Sequence, residues 1–431
     1  MMLSFDIDMA KREASGNPVQ VSLYGAGFMG HGIARQLVTG MPGIRLAVMC
    51  NRTIEKAVTA FTEAGVDRGQ IVEATNAKEI SEAIKNGKYV VTTNPEAAAT
   101  ADGLDVVMEG TGHVSYGTDV AIDAIAAGKD LLLMNAELDA TIGPILKTKA
   151  DQAGVIISGV DGDQPAVQMN LYRYVKVLGL DPVLCGNIKG LQDAKRTPTT
   201  QKGFAEKWGM SPEMVTSFAD GTKISFEQAI VANATGMKVA KRGMYGYEHR
   251  AHIDSAVDLY DIDELQELGG IVDYVLGATP GPGCYVMAAA KNDSQKVWLD
   301  YGKLGSGPLY CFYTPQHLMA MEAALTIARV ALQRDVVIAP LAGPVVDVIT
   351  IAKRDLKAGE TIDGLGGYMT YGTCENSEVA RDENLLLMGL AEGARLKRDV
   401  AEDAPLTMDD VELPDSLPVK LRMQQDEMFN G

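Results

Sequence analysis

A Gly-x-Gly-x-x-Gly segment, Gly25-Ala26-Gly27-Phe28-Met29-Gly30, constrains this chain more than any other stretch. It follows a short apolar run, VQVSLYG (19–25), and opens an amphipathic run, GHGIARQLVTG, that Gly40 ends. A strand–turn–helix of this kind needs its glycines for three reasons. The first permits the tight turn, the second lets the backbone approach a pyrophosphate, and the third allows close helix–strand packing. The helix N-terminus adds free N–H groups and a partial positive charge for the anion. A second strand, IRLAVMC (44–50), and a second helix, TIEKAVTAFTEAG, follow. Further apolar runs, KYVVTT (88–93), DVVMEGTG (105–112), DLLLMNAEL (130–138) and GVIISGVDGD (154–163), alternate with helical patterns such as YGTDVAIDAIAAG. Buried strands alternating with helices predict a doubly wound parallel sheet. The fold class is therefore α/β, with a Rossmann dinucleotide-binding domain over 1–160 whose first 18 residues form an arm or a short helix.

The end of the second strand decides which dinucleotide is expected. An NAD site places an acid there for the ribose 2′-hydroxyl. Here the residues are Cys50-Asn51-Arg52-Thr53, with no acid. Arg52 can pair with a 2′-phosphate, and Asn51 and Thr53 can donate hydrogen bonds to it. The expected cofactor is NADP(H), held by Gly25, Gly27, Phe28, Met29, Gly30, Asn51 and Arg52.

After about residue 164 the texture changes to Gly-, Thr-, Lys- and Asp-rich segments, read as a central α+β catalytic or oligomerisation domain over 161–313. TPQHLMAMEAALTIARVALQRD (314–335) predicts a long amphipathic helix with Pro at its first position, returning to the Rossmann domain within a 314–339 segment. Residues 340–431 read as β-rich. Two pieces there, VVDVITIAKRDLKAGETIDGLGG and GLAEGARLKRDVAEDAPLTMDDVEL, resemble each other and suggest a small barrel-like domain, acting as a lid or an oligomer contact. The chain carries 39 basic and 57 acidic residues, a net charge of −18, and no Lys/Arg-rich run. That field repels nucleic acid. No apolar run spans a membrane and no secretory signal is read at the N-terminus. Cys50, Cys185, Cys284, Cys311 and Cys374 are scattered without metal-ligand spacing, so reduced thiols in a cytoplasmic homo-oligomer are expected.

The order of motifs from Gly25 to about Leu332 resembles homoserine dehydrogenase. Glu109-Gly110-Thr111-Gly112 matches that family's E-x-T-G strand end, AGKDLLLMNAE (127–137) matches a segment containing Asn135, and Cys185-Gly186-Asn187-Ile188-Lys189-Gly190 looks like its G-I-x-NG turn. Where that family has Lys after Asn, this chain has Ala136 and then Glu137. A wider resemblance is carried by MEGTGHVSYGTDVA, LLLMNAELDATIGP, VDGDQPAVQMNLYRYVK, CGNIKGLQD and FADGTKISFEQA together with the tail. These look like the deoxyxylulose 5-phosphate reductoisomerase-like family, which joins a homoserine-dehydrogenase-like body to a C-terminal SAF-type domain. The resemblance implies NADPH-dependent conversion of 1-deoxy-D-xylulose 5-phosphate to 2-C-methyl-D-erythritol 4-phosphate, or action on a related carbohydrate-derived substrate. It also adds Gly110, Thr111, Gly112 and Asn135 to the cofactor residues.

Such a reaction needs polarised oxygens, a base, a proton donor and phosphate ligands. Asp161 and Asp163 follow a buried strand and so stand at its carboxyl end, where doubly wound sheets bind ligands. With Glu137 they are the acid/base candidates, and Asp161 and Asp163 the candidates for a divalent Mg or Mn. Lys189, Lys195, Arg196 and Lys223, read as lying in loops, are candidates for proton donation or phosphate binding. His113, just after the Glu-Gly-Thr-Gly turn, is expected to line the crevice; His31 lies on the cofactor helix. Two other readings stay open: a dehydrogenase of a hydroxy acid or polyol, and a non-catalytic NADP-sensing protein.

Overall fold

The computed structural model describes residues 4–430, which form two compact units. The first consists of the N-terminal segment up to Asp139, Ile145–Asp163 and Leu318–Ala339. Its sheet contains β1 (Val19–Tyr24), β2 (Ile44–Cys50), β3 (Ile71–Glu73), β4 (Tyr89–Thr92), β5 (Val106–Glu109), β6 (Asp130–Leu133) and β7 (Ile157–Gly159). The order is β3-β4-β2-β1-β5-β6-β7, and every pairing is parallel. The chain winds outward from β1 in one direction and then, from β5, in the other. The switch point between β1 and β5 is where such sheets bind ligands, outside the strand carboxyl ends. The doubly wound expectation is borne out. β3 has three residues, too short for a run of apolar residues to announce it.

Helix Phe5–Ala14 is the expected arm, and Phe5 and Met9 anchor it in the core of this unit. Residues 1–3 of that arm lie outside the described residues. Helix Ala323–Gln333 buries Ala323, Ala324, Ile327, Ala328 and Val330 in the same core. It starts at Ala323 and not at Thr314, where the sequence predicts it. Thr314 ends a strand, and a single 3-10 turn, Met319–Met321, precedes the helix. The Thr-Pro pair mimics a helix start, but ladder pairing of Thr314 with Cys284 keeps the chain extended there.

The second unit comprises Ala140–Pro144, Gln164–His317 and the segment from Pro340 on. Its main sheet has the order β12-β11-β8-β10-β9, formed by β8 (Asp181–Lys189), β9 (Tyr247–Glu248), β10 (Ile271–Leu276), β11 (Gly283–Ala289) and β12 (Leu309–Thr314). The segment expected as a Gly-Asn turn is the C-terminal half of the central strand β8. Gly186 is needed there because a Cβ would lie 2.3 Å from the Tyr285 ring, while Leu184 and Ile188 enter the core.

Helix Thr222–Thr235 buries twelve of its residues and packs against β13 (Val346–Ala352) and β14 (Thr370–Asn376). Thr222 Oγ1 accepts from Gly372 N at 2.9 Å, and Asn233 Oδ1 accepts from Val345 and Val346 N at 2.7 and 3.0 Å. The tail is thus part of this unit's core. Within it, β15 (Arg395–Leu396) pairs with β16 (Val411–Glu412). The two similar pieces pair with each other about a local pseudo-two-fold. Leu356 and Val400 exchange backbone bonds of 2.8 and 3.0 Å. Ala358 N donates to Asp399 and Glu402 N donates to Asp355, at 2.9 and 3.0 Å. Even the left-handed residue recurs, as Gly359 (φ +87°) in one piece and Asp403 (φ 63°) in the other. Asp is among the few non-glycine residues that visit this region routinely.

Candidate functional site: a dinucleotide cradle and a buried lysine cluster

The cradle lies in the first unit. β1 ends at Tyr24, Gly25 turns the chain at φ +98°, and helix Phe28–Thr39 begins with Gly27 as its N-cap. A Cβ on Gly30 would stand 2.0 Å from Gly25 O, so only glycine lets the helix sit this close to the turn. A Cβ on Gly27 would meet nothing within 4 Å, which leaves the backbone open to a ligand. No side chain caps the helix, so its first-turn amides at Phe28, Met29 and Gly30 are presented to an anion. These features fit a dinucleotide pyrophosphate.

Asn51 does a different task from the one expected of it. Its Oδ1 accepts from Ala26 N at 3.1 Å and its Nδ2 donates to Thr53 O at 2.8 Å. It braces the glycine turn against the end of β2. Arg52 is exposed in that turn.

Across the switch point, Gly110 N donates to Tyr24 O at 3.2 Å. The Glu109-Gly110-Thr111-Gly112 turn therefore adjoins the glycine turn. Glu109 is fully buried; one carboxylate oxygen accepts from Thr111 N at 2.9 Å and from the Thr111 hydroxyl. Asn135, also buried, caps helix Ala136–Ala153 through Leu138 N and donates to His113 O at 3.2 Å. Gly117 lets the two side chains approach: a Cβ there would meet Asn135 Nδ2 at 2.9 Å and Glu109 Oε2 at 3.1 Å. His113 is the N-cap residue of helix Val114–Ala126, and His31 pairs with Glu63 at 2.9 Å.

Burial pushes the Glu109 carboxyl up to about 7. The folded state then holds a proton that the unfolded chain has released, so stability falls as pH rises from the ordinary carboxyl range through about 7. Glu109→Gln should flatten that fall. In chemical denaturation, the stability difference between the two ends of this window should shrink by roughly 1–3 kcal/mol. An unchanged difference contradicts the assignment.

Three expected acids, Glu137, Asp161 and Asp163, belong to this unit, with Asp139 as a further one that the sequence reading missed. Asp139 is buried and pushed up to about 7, by burial first and by Asp163 second. Asp161 is committed to packing: its Oδ2 accepts from the Thr326 hydroxyl at 2.8 Å, its backbone N–H donates to Thr326 Oγ1 at 2.7 Å, and Arg329 lies 3.9 Å away. Among the described residues no group of three His, Cys, Asp or Glu is arranged to hold a metal ion. Asp161 and Asp163 do not fit a divalent-cation site.

The expected cations belong to the second unit, but not all lie in loops. Lys189 ends β8 with only 17% of its side chain exposed. Its Nζ donates to Gln164 Oε1 at 2.6 Å and to Glu227 Oε2 at 3.1 Å. Asn187 Nδ2 donates to the same two oxygens at 3.0 Å each, and Gln168 Nε2 holds Asn187 Oδ1 at 2.8 Å. Two of the ammonium's three N–H groups are thereby fixed, and among the described residues the third is left over. Glu227 was not foreseen. It lies on the uniformly buried helix Thr222–Thr235, where nothing local distinguishes it.

The other cations are differently placed. Lys195 pairs with Glu402 and Asp403 at 2.5 and 2.7 Å, and Arg196 with Asp193 at 2.9 Å. Lys223 is the second residue of helix Thr222–Thr235, a correction to its loop reading. Lys353, unforeseen, is 2% exposed and saturated by Asp220 (2.7 Å), Arg196 O (2.9 Å) and Gly367 O (2.8 Å).

Residues 162–323 match the family described as oxidoreductase DRL, catalytic domain. That segment is similar to an oxidoreductase catalytic domain. Residues 348–412 match the SAF domain, in line with the pseudo-symmetric tail. Lys189 and Glu227 both fall within the oxidoreductase segment. Among solved structures the chain is similar to an NAD binding oxidoreductase from Klebsiella pneumoniae (17% identity, 42% of this chain and 45% of that one, TM-score 0.28). It is also similar to 1-deoxy-D-xylulose 5-phosphate reductoisomerase from Zymomonas mobilis in complex with NADPH (16%, 50% and 57%, 0.36). A third is myo-inositol dehydrogenase from Lactobacillus casei in complex with NAD(H) and myo-inositol (12%, 43% and 50%, 0.32). The chain spans about half the length of each of these three. No curated protein matches the sequence. Among the described residues no helix is long and apolar enough to cross a membrane.

Proposed function

We propose that the protein is an NADPH-dependent oxidoreductase acting on a phosphorylated, carbohydrate-derived carbonyl compound, with Lys189 as the proton-donating ammonium. The observation that carries this reading is the Lys189 cluster: a nearly buried ammonium, two N–H groups fixed by Gln164 and Glu227, and one remaining. A donor fixed before the reaction stabilises developing negative charge without reorganising. The remaining N–H is suited to a carbonyl oxygen that becomes an alkoxide, and the ammonium can then pass it a proton. Gln164 and Glu227 hold the ammonium in place, and Asn187 fixes these two acceptors that aim it.

The dinucleotide, when bound, supplies the hydride. The first-turn amides of helix Phe28–Thr39 take its pyrophosphate, Asn51 keeps the glycine turn in place, and Arg52 takes the 2′-phosphate. A charge-assisted contact of that kind is worth about 1.5–3 kcal/mol, roughly 10- to 100-fold. NADPH should therefore bind at least about tenfold tighter than NADH. Arg52→Ala should erase most of the difference and leave NADH affinity unchanged, as titration calorimetry would read. Equal affinities in the unaltered protein would refute the preference.

The resemblance of the whole chain, and the match of 162–323 to the DRL catalytic family, support 1-deoxy-D-xylulose 5-phosphate as substrate and 2-C-methyl-D-erythritol 4-phosphate as product. Rearranging a ketose skeleton calls for charge stabilisation at two oxygens. A second reading, carbonyl reduction without rearrangement in a hydroxy acid or polyol, is favoured by one observation. Lys195 and Arg196 are spent on Glu402, Asp403 and Asp193, so they do not supply the second donor. NADPH oxidation that depends on the ketose phosphate tests the activity. Its absence with that substrate, alongside oxidation with a plain keto compound, would favour the second reading.

A further inference from the structure

The fully buried Asn187 side chain has all its hydrogen-bonding capacity in use. Its two Nδ2 hydrogens go to Gln164 Oε1 and Glu227 Oε2, at 3.0 Å each. Its Oδ1 accepts from Gln168 Nε2 at 2.8 Å and from the Cys284 thiol at 3.3 Å. Lys189 Nζ donates to the same two oxygens that Asn187 does, at 2.6 and 3.1 Å. Two donors and two acceptors therefore close a ring, Nδ2–Oε1–Nζ–Oε2. The place of the ammonium is set by where the Asn187 carboxamide points.

The Asn187 backbone is pinned in the sheet, opposite Cys284 of β11 and Tyr274 of β10. Rotation of the carboxamide is the freedom that remains. A half-turn would bring Oδ1 against Gln164 Oε1 and the Glu227 carboxylate, acceptor against acceptor. Gln168 opposes that turn by donating to Oδ1. It lies one helical turn after Gln164 on helix Gln164–Val177, so a single face supplies one corner of the ring and the amide that orients it. Gln168 is itself fully buried, and among the described residues its Oε1 has no partner. A buried amide with an unmet carbonyl costs stability, a cost that an apolar side chain of similar size would avoid. The bond that accounts for an amide at this position is the one to Asn187.

We propose that Gln168 is a positioning residue for Lys189, acting through Asn187: it fixes the carboxamide that holds the two acceptors on which the ammonium sits. This rests on Lys189 as the proton donor of the proposed reaction.

Two variants at this position test it. Gln168→Met keeps the size and removes the donor. Gln168→Glu keeps the shape; its protonated form has an O–H to give Asn187 Oδ1, and its ionised form sets an acceptor there. With 1-deoxy-D-xylulose 5-phosphate and NADPH, Gln168→Met should lower kcat roughly 10- to 100-fold at every pH, with NADPH affinity unchanged. Gln168→Glu should work nearly as well as the unaltered protein at low pH and decline towards the methionine variant as pH rises. Lys189, Glu227 and Cys284, the other ionisable groups bonded within this network, are common to all three proteins. A second readout needs no turnover. In protein carrying isotope-labelled lysine, the ammonium protons of a lysine held by two acceptors should exchange slowly enough to be seen by NMR, and Lys189→Met assigns the signal. Gln168→Met should broaden or remove it. Full turnover in Lys189→Met would sink the proton-donor reading, and the ammonium signal would still decide whether Gln168 positions the lysine. A Lys189 signal absent from the unaltered protein, a signal that Gln168→Met leaves as it was, or undiminished turnover in Gln168→Met would each overturn the proposal.

Discussion

Removing Lys189 should lower turnover by about 10²–10³ while leaving NADPH affinity unchanged, because the loss is of charge stabilisation in the transition state. The simple Lys189→Ala variant carries a complication. It strands Glu227, which is buried beside Asn187 and Gln164 and, among the described residues, has Lys189 as its bonded cation. Breaking a buried pair on one side costs about 3–5 kcal/mol in stability. The pair of variants Lys189→Met and Lys189→Met with Glu227→Gln separates chemistry from stability. The double variant should regain much of the lost stability, since neither charge is left alone. It should remain as inactive as the single variant. Glu227→Gln by itself should lower turnover less than Lys189→Met does, since the lysine keeps its bond to Gln164. Activity returning with stability in the double variant would show that Lys189 acts only through folding.

The other large effect concerns the tail. Deleting residues after 339 should not leave a folded body. It strips β13 and β14 from helix Thr222–Thr235, which buries Ile224, Phe226, Ile230 and Val231 and presents Thr222, Ser225 and Asn233 to tail atoms. Exposing two or three large apolar side chains costs about 1.5–3 kcal/mol each. Leaving buried polar groups unmatched adds about 1–3 kcal/mol for each. Together these approach the whole stability of an ordinary domain, roughly 5–15 kcal/mol. The truncated chain should lose the cooperative unfolding of its second unit by calorimetry and should aggregate. A soluble truncated protein with a second-unit transition at its original temperature would contradict this account of the tail.

The first unit was legible because its signals are local. Six of the seven parallel strands are short apolar runs, and the glycine turn has a spacing that few other structures require. The repeat Lys353-Arg354-Asp355-Leu356 and Lys397-Arg398-Asp399-Val400 likewise announced the paired halves of the SAF domain. The rest depends on contacts between distant residues. Lys189 was visible as a lysine beside Gly190, but its partner Glu227 comes from a helix buried on all sides, with no periodicity to mark one residue as special. Gly186 and Asn187 suggest a turn by type, yet Tyr285 from β11 packs where a side chain on Gly186 would have been. Asp161 looked like a site acid because it follows a strand; Thr326, far along the chain, takes its carboxylate. In each case residue type was read correctly and the partner could not be.

The most direct test of the account is the fate of the hydride. NADPH carrying deuterium at the transferred position is incubated with 1-deoxy-D-xylulose 5-phosphate and the product is examined by NMR. The account predicts a branched 2-C-methyl skeleton with deuterium on the carbon of the newly formed primary alcohol, and no such product from the Lys189→Met variant. Deuterium on an unbranched skeleton, or a branched product formed equally well without Lys189, would contradict it.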